Sequence, residues 1–70
     1  MADALDLLAI NLNKFGGGYH LYLSGGKHIC ERGHDADAER PNGFRFKAKA
    51  DTPDEAIIMA IEMVEEEYEN

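Results

Sequence analysis

The sequence predicts an α+β fold, in which a small antiparallel meander of three or four strands carries one C-terminal amphipathic helix packed across it. Two observations lead to this prediction. Residues 44–50 alternate apolar and basic side chains, which is the period of a half-buried strand. Residues 53–68 repeat apolar side chains at helical spacing. With 70 residues in all, the chain is expected to form a single domain over 1–70.

The N-terminal segment, residues 5–13, fits two periodicities. Apolar residues at alternate positions favour a strand that begins near Leu7, whereas leucines spaced three and four apart also fit a short helix. We favour the strand. The glycines at 16–18 then supply a turn with positive φ, and they pair this strand as a hairpin with a second strand at 19–23.

The middle of the chain predicts a short strand and a loop before the final strand and helix. A third strand is expected over 27–31, and a loop over 32–43, where no apolar residue is larger than alanine. The fourth strand covers 43–50. Thr52 then begins a T-x-x-E capping box that starts the helix, which runs over 53–68.

The net charge of −7 is concentrated at the C-terminal end of the chain. Residues 51–70 contain carboxylates and no base. Such a field repels phosphate backbones, so direct nucleic-acid binding is not expected, whereas a protein with a basic surface is the expected partner. The carboxylates predicted to contact it are Glu62, Glu65, Glu66, Glu67 and Glu69 in the helix and Asp35 and Asp37 in the loop.

Length and cysteine content suggest further expectations. A chain this short buries little apolar surface, so a homodimer is a reasonable default. The lone Cys30 fits a reducing compartment, which predicts a cytoplasmic protein. No apolar run approaches the length of a membrane span, so no membrane partner is expected.

His28, Cys30 and His34 form a weak candidate metal site. Imidazole and thiolate ligands suit zinc, but the sequence lacks the paired-cysteine spacing of established zinc sites. We therefore expect no metal and no cofactor. Cys30 with a histidine is also a conceivable nucleophile–base pair, yet no orienting group or oxyanion site is marked, and an enzyme is not expected.

The segment KAKADTPDEAIIMAIEMV resembles the strand-to-helix passage of small phage proteins of the ABA-sandwich type. The matching positions are Ala48, Asp51, Thr52, Pro53, Ala56 and Ile57. The same segment is similar to HicB-type antitoxins through Asp51, Thr52, Glu55, Ala56 and Ile57.

The first resemblance implies a small protein from a phage or mobile element that works by contact, in the host cytoplasm. The carboxylates of the C-terminal helix can imitate phosphates, and no base follows Lys49. We therefore expect the protein to bind and inhibit a host protein, for example a nucleic-acid-binding component of the defence machinery, in the manner of an anti-CRISPR protein or a DNA mimic. The second implies an antitoxin-like regulator that binds a cognate toxin. A small metal-binding protein that uses the region of His28, Cys30 and His34 is the remaining alternative.

Overall fold

The computed structural model describes residues 3–38 and 41–69. A three-stranded antiparallel sheet, with its strands side by side in chain order, carries the C-terminal helix on one face, which confirms the α+β class. Within the described residues, neither helix is long and apolar enough to cross a bilayer. The elements in chain order are α1 (Ala4–Phe15), β1 (Gly18–Ser24), β2 (Lys27–His34), β3 (Phe44–Ala50) and α2 (Pro53–Glu69).

The N-terminal segment is the helix α1, so the predicted strand over 5–13 is wrong. Asp3 caps the helix, because its side chain accepts a hydrogen bond of 2.9 Å from the amide of Asp6. The buried residues recur at helical spacing and are Ala4, Leu8, Asn11 and Phe15. Helical packing of this stripe prevails over the alternation that favoured a strand.

The glycines at 16–18 end α1 and do not form the predicted hairpin turn. The Gly16 amide donates a hydrogen bond of 2.8 Å to the Leu12 carbonyl, and Gly16 has φ 76°, a positive value that glycine adopts without steric strain. The hairpin instead joins β1 to β2. Its turn is Gly25-Gly26, whose φ values of 59° and 78° suit a primed turn.

The central strand, β2, runs to His34 rather than ending at Glu31, so the loop predicted over 32–43 begins later. The reason is pairing, since β2 is hydrogen-bonded along its length to β1 on one side and to β3 on the other. Residues 39 and 40 of the predicted loop lie outside the described part of the chain.

Both helices contribute to a core on one face of the sheet. In the cross-strand register Cys30 stands between Leu21 of β1 and Ala48 of β3. Cys30 and Ala48 belong to the same buried cluster as Leu8 of α1 and Ile57 of α2. Because side chains alternate along a strand, residues such as Lys47 project from the opposite face of the sheet.

The start of α2 agrees with the predicted cap, since the Glu55 amide donates to the Thr52 hydroxyl oxygen at 3.2 Å. Near the other end of α2, the Tyr68 hydroxyl donates to the Gly43 carbonyl at 3.3 Å. The buried residues of α2 are Ala56, Ile57, Ala60, Ile61 and Val64. The opposite side of the helix therefore presents its carboxylates to solvent.

Candidate functional site

Four of the predicted carboxylates form one surface, which we call the acidic face. They recur at spacings of three and four residues on α2, which places them on one side of the helix. All four are exposed, and together they line a shallow concavity of ≈ 300 Å³. The residues of the acidic face are Glu62, Glu65, Glu66 and Glu69.

Lys14 of α1 reaches the edge of the acidic face and forms an ion pair with Glu69. The hydrogen bond and the charge of Glu69 raise the pKa of Lys14. Among the ion pairs of the described residues, none involves Glu62, Glu65 or Glu66. Three carboxylates of the acidic face are therefore available to an external cation.

The other predicted contact residues lie apart from the acidic face. Glu67 is exposed on α2 but does not line the concavity. Asp35 lines a separate groove on the sheet, beside Gly18 and Gly33. Asp37 faces His34, with 3.5 Å between its carboxylate and the imidazole Nε2. The structure thus divides the predicted contact residues between two regions.

The three candidate metal ligands are not brought together. His28, Cys30 and His34 lie on the same face of β2, but Arg32 separates Cys30 from His34, and Cys30 is fully buried in the core. His34 Nδ1 lies 2.6 Å from the Asp35 carbonyl oxygen. Over residues 3–38 and 41–69, no group of three or more histidine, cysteine, aspartate or glutamate side chains is placed to hold a metal ion.

Cys30 is in an environment that opposes thiolate formation. Burial raises its pKa, and the nearby Arg32 guanidinium offsets this only in part. A reactive cysteine needs the opposite conditions, which are partial exposure and a lowered pKa. The site therefore gives no support to Cys30 as a nucleophile.

We expect Cys30 of the folded protein to react with iodoacetamide at neutral pH at least about a hundredfold more slowly than the same thiol in urea, because reaction requires local opening. Mass spectrometry of timed aliquots measures both rates. Similar rates in the two conditions would contradict the burial of this side chain.

Arg32 is the most important residue that the sequence did not reveal. Its side chain is fully buried on β2, where burial lowers the pKa of the guanidinium. Nε donates to Asn11 Oδ1 at 2.7 Å, Nη1 to the Gly18 carbonyl at 2.8 Å and Nη2 to the Gly16 carbonyl at 3.0 Å. These bonds tie the end of α1 and the start of β1 to the central strand. No sequence pattern marks Arg32, since the glycine, histidine and aspartate that follow it have the composition of a loop.

A groove between α1 and α2, which we call the interhelical groove, adjoins the acidic face. It has a volume of ≈ 290 Å³, and Glu62 and Glu65 line both features. Its apolar lining comes from both helices and includes Leu7, Ile10, Ile58 and Ile61. The sequence did not reveal this groove, because the alternation in residues 5–13 favours a strand, whereas one wall of the groove is the helix α1.

Comparisons with family models, curated proteins and solved structures find no match for this chain. The resemblances to small phage proteins of the ABA-sandwich type and to HicB-type antitoxins therefore stay predictions.

Proposed function

We propose that this protein is a non-enzymatic binding protein whose acidic face docks on a basic surface of another protein. The observation that carries the proposal is the clustering of four exposed carboxylates on one side of α2. Opposite charges on the two partners accelerate encounter and fix their relative orientation.

The charges on the sheet give the protein a basic side in addition to the acidic face. The open face of β3 presents Arg45, Lys47 and Lys49, all exposed, whereas α2 presents the acidic face. A basic partner is therefore attracted to the helical layer and repelled by these three residues of the sheet. This separation of charge selects one docking orientation.

The partner class that best suits such a surface is a nucleic-acid-binding protein. Its binding channel is basic because it neutralises phosphates, and a row of carboxylates can occupy the same channel. We propose that the protein inhibits such a partner by this competition. In the phage setting that the sequence resemblance implies, the partner would be a host defence protein.

The test is a pull-down from bacterial lysate at low ionic strength, with the wild-type protein and the variant E62K/E65K/E66K. We expect the wild type to retain a nucleic-acid-binding protein that added duplex DNA displaces, and the variant to lose it. The attraction is between exposed charges, so raising the salt concentration should also release the partner.

Neighbouring residues on α2 provide a matched control. Glu66 belongs to the acidic face and Glu67 does not, so E66K and E67K make the same charge change at adjacent positions. We expect E66K to weaken binding several-fold more than E67K, because only Glu66 lies in the contact. Equal retention by the wild type and E62K/E65K/E66K would refute the proposal. Capture of a toxin that DNA does not displace would favour the antitoxin alternative.

A further inference from the structure

We propose that the interhelical groove binds an amphipathic helix of the partner, with apolar side chains in the groove and basic side chains against Glu62 and Glu65. This inference rests on the proposed function and narrows it, because it names the part of the partner that is recognised. Helices that lay an apolar stripe into a groove are a recurring mode of recognition.

The apolar character of the groove comes from side chains that the fold leaves in water. Ile10 is 61% exposed, Leu7 38% and Ile58 39%, although all three are large aliphatic residues. Single exposed aliphatic residues are common on protein surfaces, but these three line one groove between two helices. A helix that inserts apolar side chains there would remove this surface from water.

The charge at the rim of the groove specifies the occupant. Glu62 and Glu65 lie on the rim, and Lys14, which also lines the groove, is engaged by Glu69. A second copy of this chain carries a net charge of −7 and would place like charges together. A cationic amphipathic helix satisfies both the apolar walls and the acidic rim.

Asn11 is the buried polar residue among those that line the groove. Its side chain lines the groove and is only 2% exposed. Asn11 Oδ1 accepts from Arg32, whereas Nδ2 has no hydrogen-bond partner among the described residues. A buried donor without an acceptor is costly, but Nδ2 is itself shielded from the groove, so the inference rests on the apolar walls and the acidic rim.

The experiment uses two synthetic peptides of roughly 18 residues, which is about five helical turns. The first has leucines at helical spacing flanked by lysines, and the second has the same composition in scrambled order. Binding to the full chain is measured by fluorescence anisotropy. We expect the ordered peptide to bind about tenfold more tightly than the scrambled one, because only it can seat its leucines together.

Two substitutions on α1 separate the groove from general surface hydrophobicity. Ile10 lines the groove and is 61% exposed, whereas Leu5 is 57% exposed and lies outside the groove lining. We expect I10S to remove most of the advantage of the ordered peptide and L5S to preserve it. I58S tests the same groove from α2. Circular dichroism confirms that each variant is folded, as expected for exposed positions.

The outcomes distinguish this inference from the proposed function. If both peptides bind equally and E62K/E65K/E66K abolishes their binding, the groove proposal is overturned and the acidic face stands. If neither peptide binds at low ionic strength, the groove proposal fails, and the pull-down alone decides whether the acidic face docks on a partner. If I10S and I58S bind the ordered peptide as tightly as L5S does, the groove does not seat the helix.

Discussion

Replacing Arg32 with methionine is expected to destabilise the protein by about 3–5 kcal/mol, because three neutral acceptors would each lose a hydrogen bond from a charged donor. The Asn11 side-chain oxygen and the carbonyls of Gly16 and Gly18 would each lose a hydrogen bond. A domain of this size has a total stability of only about 4–10 kcal/mol, so R32M should lose about half of it and unfold at a markedly lower urea concentration. Urea unfolding followed by circular dichroism measures the change.

The substitution Asn11→Asp is a useful control for this experiment. It preserves an oxygen acceptor for Arg32 Nε and adds a charge opposite to the buried guanidinium. It also removes the Nδ2 group that lacks a partner. We expect N11D to unfold at the same or a higher urea concentration than the wild type. Equal urea midpoints for R32M and the wild type would show that Arg32 is held by packing alone.

Arg32 also shows why part of this structure could not be predicted from sequence. A charged residue followed by glycine, histidine and aspartate has the composition of a loop, and nothing local indicates that its three acceptors exist. Those acceptors come from α1 and from the start of β1, which are distant in sequence. The buried site is a product of tertiary structure.

The elements predicted correctly are those whose signals are local. β3 and α2 follow from alternation, helical spacing and the Thr52 cap, all within one stretch of the chain. In α1 the alternating pattern of a strand competes with the spacing of a helix. The layer against which the segment packs decides between the two. The acidic face was predictable from spacing on α2, whereas the interhelical groove required the position of α1.

The second large effect is expected for Gly17→Ala, which should lower the stability by roughly 3 kcal/mol or more. Gly17 has φ 81°, a conformation that alanine adopts only with strain. A Cβ atom built at Gly17 would also lie 2.2 Å from the carbonyl oxygen of Gly33. Because that contact is with backbone, relief requires the end of α1 and β2 to separate. Thermal and urea unfolding measure the loss.

Gly25→Ala is the matched control, because it separates the two costs. Gly25 has φ 59° in the β1–β2 turn, but a Cβ atom there meets nothing within 4 Å. We expect G25A to cost only about 1–2 kcal/mol, the strain of the left-handed backbone alone. The excess loss in G17A then measures the close approach to Gly33. The close approach of Gly17 to Gly33 also positions the Gly16 and Gly18 carbonyls to accept hydrogen bonds from Arg32. Equal losses of stability in G17A and G25A would therefore mean that the hydrogen bonds of Arg32 tolerate a displaced backbone.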